Sequence, residues 1–364
     1  MEWKEDVLGN VLEVKYGKDH KKLADGQYPV YGSGGLMRYV DSILYDGPSI
    51  LIPRKGTLNN IMFVDSPFWT VDTMFWSIIN TDKVDPKFLF YSICKRDFAS
   101  MNVGSAVPSM TVNILNDIQI SYPKNISDQR RIASILSSLD QKIELNNKIN
   151  ADLEEMAQAI FKNWFVDFEP FKNGKFVDSE LGMIPEGWKV GSLGDFCNVF
   201  TGKKNTSQAI EKGLYPFFSC APEPLASNDA IFNGKAIIIA GNGSYTGRTS
   251  FYNGEFDLYQ RTYACTIREQ DKENLMIFFY HMMKQFFEPT KMGGTRGSSI
   301  PYIVMGDITQ QKFPYSKDWL IRFSNIANSM MDRKLRIDKE NSRLSLLRDT
   351  LLPRLMSGEL EVPE

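Results

Sequence analysis

Apolar residues follow a helical period over one long stretch near the middle of the chain. From Ile132 they recur in steps of four and three, at positions 132, 136, 139, 143, 146, 150, 153, 157 and 160, with asparagine at 146 and 150. This spacing is typical of a heptad seam on one face of a helix. Asp128, directly after Ser127, is a candidate N-cap, and no glycine or proline interrupts the stretch before Pro170. We therefore predict a helix of about 40 residues, or ~60 Å.

A second long helix is predicted from about Trp319 to Met356, and it is the natural partner for the first. Its apolar positions follow a looser heptad, with Pro353 near the end; they are Phe323, Ala327, Met331, Leu335, Leu344, Leu351 and Leu355. Asn146 and Asn150 lie in the seam of the first helix, where asparagine lowers stability but fixes register and pairing. The alternative is that both are solvated residues near a frayed part of the seam.

Ahead of each long helix the pattern changes to short β-branched and aromatic runs broken by Gly, Asn and Pro. Residues 42–64 and 230–252 are examples, and such runs are typical of strands joined by tight turns. Apolar residues then recur at helical spacing over residues 85–101 and 273–287, which predicts a short core helix in each place. Each half of the chain therefore opens with a strand-rich domain.

The two halves repeat one another in order. The offset grows only from 185 to about 193, and the matches include Trp3-Lys4 with Trp188-Lys189, Gly17-Lys18 with Gly202-Lys203, Phe90-Tyr91 with Phe279-Tyr280, GSAVP at 104–108 with GSSIP at 297–301, and Asp140 with Asp332. Chance matches would not stay in register. We therefore interpret the chain as two copies of one unit.

Composition narrows the function. The net charge of -2 and the pI near 5.9 mean that any contact with nucleic acid comes from local patches. The charged start and the lack of an apolar run of about 20 residues favour a cytoplasmic protein without a membrane span. Four well-separated cysteines without a CxxC pair, and only two histidines, argue against a metal site or a disulfide framework.

Three segments resemble a known family. They are the run from Gly104 to Pro170, the linker DSELGMIPEGWKVGSLGD at 178–195, and LRDTLLPRLMSGELEV at 347–362. They are similar to the central and C-terminal regions of the specificity subunits of type I restriction-modification systems. The linker is the most specific of the three, and the resemblance extends over essentially the whole chain.

The resemblance implies two target recognition domains, each reading one half of a bipartite, asymmetric sequence in double-stranded DNA. It also implies that the long helices act as a spacer and dock DNA methyltransferase subunits, with restriction and translocase subunits in the full complex. Catalysis then belongs to these partners, and we expect no cofactor. A cofactor-binding Gly loop and an Asp- or Asn-Pro-Pro-aromatic motif, which DNA methyl transfer would need, are absent from the sequence. The alternative function is a coiled-coil protein-interaction scaffold without DNA binding.

The predicted fold class is α+β, with two strand-rich mixed α/β target recognition domains in tandem duplication. Two long antiparallel helices join them as a coiled coil with pseudo-two-fold symmetry. The predicted boundaries are residues 1–126 for domain 1, 127–168 for spacer helix 1, 169–187 for a linker, 188–317 for domain 2, and 318–364 for spacer helix 2 with the tail.

Candidate DNA contacts lie in predicted loops of both halves. Recognition uses Arg or Lys for phosphates and guanine edges, and Asn, Gln, Ser or Thr for adenine and the backbone. The candidates are Arg54, Lys55, Thr57, Asn59, Asn60, Lys203, Lys204, Asn205, Asn242, Ser244, Tyr245, Thr246, Arg248, Lys291 and Arg296. The alternative for each is a solvated loop residue without a partner. GSAVP and GSSIP are interpreted as Gly turns that close each domain, in preference to DNA contacts.

Overall fold

The computed structural model describes residues 1–101, 109–287 and 301–362. The chain divides into two compact units, each of mixed helices and strands. Unit 1 comprises Met1–Asn146 and Lys339–Glu364, and unit 2 comprises Asn147–Asp338. Each unit therefore contains one part of each long helix.

Unit 1 contains a four-stranded sheet, a three-stranded sheet and a separate strand pair. Its strands are β1 (Trp3–Val7), β2 (Leu12–Tyr16), β3 (Asp25–Gly32), β4 (Gly35–Val40), β5 (Pro48–Pro53), β6 (Met62–Asp65), β7 (Trp69–Thr70), β8 (Met74–Ile79) and β9 (Gln119–Pro123). Its helices are α1 (Pro86–Ile93), α2 (Val112–Asn116), the first part of α3 (Ile126–Phe165) and the last part of the C-terminal long helix, from Lys339 to Met356. The sheet orders are β2-β8-β5-β6 and β4-β3-β7, and β1 pairs with β9.

Strand β5 is buried on both faces because it lies between two apolar clusters. Ile50 and Ile52 pack in the cluster that also contains Phe88 of α1. Leu51, on the opposite face, packs in a second cluster with Trp76. A strand covered on both sides reads as a continuous apolar run rather than an alternating one, as this one does.

Unit 2 is built around one six-stranded sheet. Its strands are β10 (Phe176–Val177), β11 (Ile184–Pro185), β12 (Lys189–Ser192), β13 (Cys197–Thr201), β14 (Tyr215–Phe218), β15 (Leu225–Ser227), β16 (Phe232–Ala240), β17 (Thr249–Leu258), β18 (Thr262–Ile267) and β19 (Lys312–Tyr315). Its helices are the last part of α3, from Asn147 to Phe165, then α4 (Leu193–Phe196), α5 (Met276–Phe287), α6 (Met305–Thr309) and the first part of α7 (Lys317–Met356). The sheet order is β13-β18-β16-β17-β14-β15, and β12 pairs with β19.

Aromatic packing joins α5 of unit 2 to both long helices. Phe278 of α5 lies 5.4 Å from Phe161 and 4.9 Å from Phe165, both of α3, between ring centroids. Phe323 of α7 meets Phe278 edge-on at 6.1 Å. Edge-to-face pairs at such distances contribute beyond their buried area. The apolar run of α5 is therefore explained by contacts on several of its faces.

Helix α3 has the predicted length of 40 residues, but its N-terminus differs from the prediction. It begins at Ile126, and the Asn125 carbonyl accepts hydrogen bonds from the backbone N–H groups of Asp128 and Gln129. Asp128 lies inside the first turn and pairs with Arg131, so the prediction of Asp128 as N-cap is wrong. Periodicity locates a helix better than it locates the cap.

All nine positions of the predicted seam of α3 are buried or half-buried. Asn146 and Asn150 are only 1% and 7% exposed, so the interpretation of these two as solvated residues is wrong. In α7 the pattern is less regular than predicted, because Leu335 is 38% exposed while Ile337 is buried. The looser heptad of α7 therefore holds at most of its positions and fails at Leu335.

Two glycines matched in the repeat lie where the backbone approaches another strand end. Gly17 follows β2, and a Cβ there would lie 2.0 Å from the Val71 carbonyl oxygen. Gly202 follows β13, and a Cβ there would lie 1.5 Å from the Leu258 carbonyl oxygen. Only glycine allows so close an approach.

We expect Gly202→Ala to lower the free energy of unfolding by about 3 kcal/mol, because the backbone must move to admit the methyl group. Gly34→Ala is the matched control, since a Cβ on Gly34 meets nothing within 4 Å. The control should stay within about 0.5 kcal/mol of the natural chain. Urea unfolding followed by circular dichroism measures both, and equal midpoints for the two variants would contradict the close approach.

Candidate nucleic-acid interface

The candidate residues that the structure describes lie in three loops at strand ends. In unit 1 the loop of residues 54–60 joins β5 to β6. In unit 2 the loop of residues 241–248 joins β16 to β17, and residues 202–205 follow β13. We call these the β5–β6 loop, the β16–β17 loop and the β13 loop. Loops held by a rigid sheet are common sites of recognition.

Arg54 at the start of the β5–β6 loop is held against its own domain. Its guanidinium donates to the Asp72 carbonyl oxygen at 3.3 Å and lies 5.4 Å from the ring centroid of Tyr16. Next to it, Lys55 and Thr57 are exposed. The loop therefore combines an anchored arginine with outward-facing polar residues.

Two asparagines fold the rest of the β5–β6 loop. Asn59 donates to Asp97 Oδ1 at 3.2 Å, and its own Oδ1 accepts the backbone N–H of Ala99 at 2.9 Å. Asn60 donates to the Ser33 carbonyl oxygen at 2.8 Å. A loop lacks the backbone hydrogen bonds of a strand, and these side-chain amides supply hydrogen bonds in their place. Both asparagines therefore stabilise the conformation of the loop.

The β16–β17 loop shows the same division between anchors and exposed residues. Thr246 is buried, and its hydroxyl oxygen lies 2.7 Å from the Gly243 carbonyl oxygen. Arg248 donates from both guanidinium NH2 groups, to the carbonyl oxygens of Pro222 at 2.7 Å and Ala221 at 2.5 Å. Ser244 and Tyr245 lie between these anchors and are exposed.

Asn242, at the start of the same loop, accepts a weak hydrogen bond from the Cys220 thiol at 3.1 Å. In the β13 loop, Asn205 accepts from Gln260 Nε2 at 2.6 Å, and its backbone N–H donates to Gln208 Oε1. Both asparagines thus have partners within unit 2, and Asn205 remains exposed at its edge.

Lys204 is engaged inside its own domain. Its ammonium donates to Ser227 Oγ at 2.9 Å, to Asp229 Oδ2 at 2.7 Å and to Asp257 Oδ2 at 2.6 Å. The Asp257 side chain is only 1% exposed and needs this cation. An ammonium group has three donors, and all three are engaged here by partners within unit 2. Its neighbour Lys203 is exposed.

Some predicted features lie outside the described residues. Lys291 and Arg296 fall there, as do the GSAVP element and GSSIP up to Pro301. Arg261, which was not among the candidates, is exposed in the turn between β17 and β18. It lines a concavity of about 340 Å³ with Asn242, Gln260 and Tyr302.

Two further features concern residues 1–101, 109–287 and 301–362, the part of the chain that the structure describes. In these ranges, His, Cys, Asp and Glu side chains form no group of three or more that is suited to hold a metal ion. Across the same ranges, every helix falls short of the length and apolar character needed to cross a bilayer.

One curated relative is similar along most of the chain, and another along about half of it. The specificity subunit of type I restriction enzyme MjaIX from Methanocaldococcus jannaschii is 28% identical, with 94% of this chain and 86% of its own length covered. The specificity subunit of type I restriction enzyme EcoDI from Escherichia coli is 33% identical over 49% of this chain and 40% of its own length.

The fold has a solved counterpart. The crystal structure of the S subunit of a type I restriction-modification system from M. genitalium superposes with a TM-score of 0.65 at 17% identity, covering 100% of this chain and 96% of that one. The family model described as type I restriction modification DNA specificity domain matches residues 1–155 and 185–317. The chain therefore belongs to the type I restriction-modification DNA specificity family.

Proposed function

We propose that the chain reads a bipartite, asymmetric DNA target through two recognition domains, one in each unit, and docks the methyltransferase subunits of its system. Restriction and translocase subunits join the same complex, and the chain itself supplies specificity without catalysis. The observation that carries the proposal is the match of the specificity-domain description to two separate stretches of the chain. A duplicated reader whose copies have diverged recognises two different half-sites, as a symmetric dimer recognises two equal ones.

The strand orders support the proposed tandem duplication. Unit 1 has β2-β8-β5-β6, and unit 2 has β13-β18-β16-β17 at the corresponding places in the chain. In each unit a terminal strand pair, β1 with β9 or β12 with β19, precedes a long helix. Domains 1 and 2 are then residues 1–126 and 188–317, with a linker at 169–187 and the helices at 127–168 and 318–364.

Contacts inside each unit support the proposed antiparallel coiled coil. In unit 1, Asn146 of α3 donates to Glu340 Oε2 at 2.9 Å, while Asp140, one and a half turns earlier, accepts from Arg348, later in α7. In unit 2, Asn150 donates to Asp338 Oδ1 at 2.6 Å. Position numbers thus fall along α7 as they rise along α3, as antiparallel helices require. The buried asparagines suit a role in fixing register.

Six of the exposed loop residues are the proposed DNA contacts. They are Lys55, Thr57, Lys203, Asn205, Ser244 and Tyr245. A second group is proposed to hold these loops in shape: Arg54, Asn59, Asn60, Asn242, Thr246 and Arg248. Atoms of these residues that have no partner within the protein can contact the DNA backbone or bases. Anchors and contacts together give the rigid presentation that base readout needs.

The test is to map methylated positions in the genome of a host that carries this chain and its modification subunits. We expect two short sequences at a fixed separation, lost when the chain is deleted. The alternative of a protein scaffold predicts methylation that is independent of this chain and no gel shift of duplex DNA by the assembled complex. That outcome would overturn the proposal.

Substitutions at the neighbouring residues Lys203 and Lys204 are expected to have different effects, one on DNA binding and the other on stability. We expect Lys203→Ala to weaken binding of the assembled complex to its target and to reduce the salt slope of log K by about 0.9, because one phosphate contact is lost. Lys204→Met should instead lower the free energy of unfolding by about 3 kcal/mol, because Asp257 stays buried without its cation. Anisotropy titrations at several salt concentrations and thermal melts measure the two effects. An unchanged salt slope for Lys203→Ala would remove this residue from the interface.

A further inference from the structure

A tyrosine of unit 1 ties helix α1 to both long helices. The Tyr91 hydroxyl donates to Asp140 Oδ2 of α3 at 2.6 Å. The other oxygen of that carboxylate accepts from the Arg348 guanidinium of α7 at 2.7 Å. Tyr91 is 7% exposed, and burial, followed by the bond to Asp140, raises its pKa well above the usual value. We call Tyr91, Asp140 and Arg348 the unit 1 latch.

Unit 2 contains a latch of the same chemistry. The Tyr280 hydroxyl of α5 donates to Glu154 Oε1 of α3 at 2.8 Å. Lys334 of α7 donates to Glu154 Oε2 at 2.8 Å, and Lys284 of α5 donates to Oε1 at 2.8 Å. Burial alone would raise the pKa of Glu154, but the two lysine ammonium groups outweigh it and lower that pKa to about 2. The carboxylate is therefore ionised at neutral pH.

The two latches are not explained by the sequence repeat alone. Tyr91 and Tyr280 are matched positions, but the repeat partner of Asp140 is Asp332, which is exposed. Unit 2 uses Glu154 in its place. In both units the carboxylate comes from α3 and a cation comes from α7. The same chemistry is thus assembled from different helix positions.

Ionic latches of this kind are poorly explained by stability. Placing two charges in a partly buried site costs solvation, and apolar residues of similar volume often stabilise as well or better. Charge-assisted hydrogen bonds are instead directional, so they select one geometry. Contacts to two helices at once fix the angle of the short helix on both, whereas apolar surfaces tolerate repacking.

We propose that Tyr91 and Tyr280 are positioning residues that fix the angle at which each recognition domain sits on its segment of the long helices, and so narrow the range of half-site spacings that the complex accepts. The inference rests on the proposed bipartite function. Without its latch, a recognition domain would be held on the long helices by apolar contacts alone, and its angle would vary. Its loops would then reach half-sites at neighbouring spacings.

The test uses Tyr91→Phe, Tyr280→Phe and the double variant. Each substitution removes only the tyrosine hydroxyl group. Complexes reconstituted with the modification subunits methylate duplexes whose spacer is the natural length or differs by one or two base pairs. We expect the optimum and both half-sites to stay the same. The rate at off-length spacers, relative to the optimum, should rise by about tenfold in the double variant, as loss of a charge-assisted bond allows.

Tyr122→Phe is the matched control. Tyr122 is 3% exposed, and its hydroxyl donates to Asp6 Oδ2 at 3.0 Å, so this bond joins β9 to β1 and has no partner on a long helix. It removes a similar bond without touching a latch, so its spacing profile should equal that of the natural chain. A double latch variant that broadens no more than Tyr122→Phe overturns the inference.

A second measurement uses the chain without DNA, so it also tests variants that do not form an active complex. Amide hydrogen exchange of the chain should speed up by about tenfold in α1 for Tyr91→Phe and in α5 for Tyr280→Phe, and not in β9. Unchanged exchange in both helices overturns the latches. A natural complex with no spacer optimum overturns the bipartite function itself, and the exchange result then still reports on the latches alone.

Discussion

Exchange of residues 1–125 for the equivalent domain of a relative is expected to change one half-site completely and leave the other intact. Each domain closes on itself, because β1 pairs with β9 from Trp3 with Pro123 to Val7 with Gln119. The exchanged segment therefore begins and ends on neighbouring strands. Methylated positions mapped in a host that carries the chimera and its modification subunits measure the result.

The choice of donor domain matters for this experiment. The core of unit 1 is completed by Ile132 and Leu136 of α3 and by Leu352 of α7, so the donor needs an apolar face against them. It also needs a tyrosine at the place of Tyr91 to keep the latch. The reciprocal exchange of residues 188–317 is the control and should alter only the other half-site. A change in both half-sites from either exchange contradicts the two-reader proposal.

Local patterns predicted the elements of this fold well. The heptad spacing located α3, and helical spacing over 85–101 and 273–287 located α1 and α5. Cap placement failed at Asp128, because an asparagine three residues earlier competes for the same role. Leu335 was misplaced because a looser heptad leaves several faces open to the same apolar residue.

The candidate interface was harder to predict than the fold. Lys203 and Lys204 are adjacent and chemically equal in the sequence, yet only Lys204 meets Asp257, which lies 53 positions later in the chain. Partners so distant in sequence follow from strand pairing and not from local pattern. The latch carboxylate Glu154 was missed for a similar reason, since the repeat points to Asp332 instead. The DNA contacts stay predictions.

A matched insertion of one heptad into both long helices is expected to lengthen the recognised spacer by up to about three base pairs. Seven residues add about 10 Å at ~1.5 Å each, and base pairs rise about 3.4 Å each. Insertion between Asn146 and Asn147 and between Asp338 and Lys339 follows the unit boundaries. It leaves the Asn146–Glu340 and Asn150–Asp338 contacts within their own units.

A whole heptad is needed for this insertion because it keeps the proposed seam aligned, whereas an insertion in α3 alone would displace every seam contact beyond it. Three added base pairs also turn the second half-site by about a third of the ~10 base-pair helical repeat. A domain must then swing or the DNA must twist, so affinity should fall even where the spacing is restored. Methylation of a spacer-length series by the reconstituted complex measures the shift, with the α3-only insertion as the inactive control. If activity survives in the matched variant while the optimum stays at the natural length, the helices do not set the spacing.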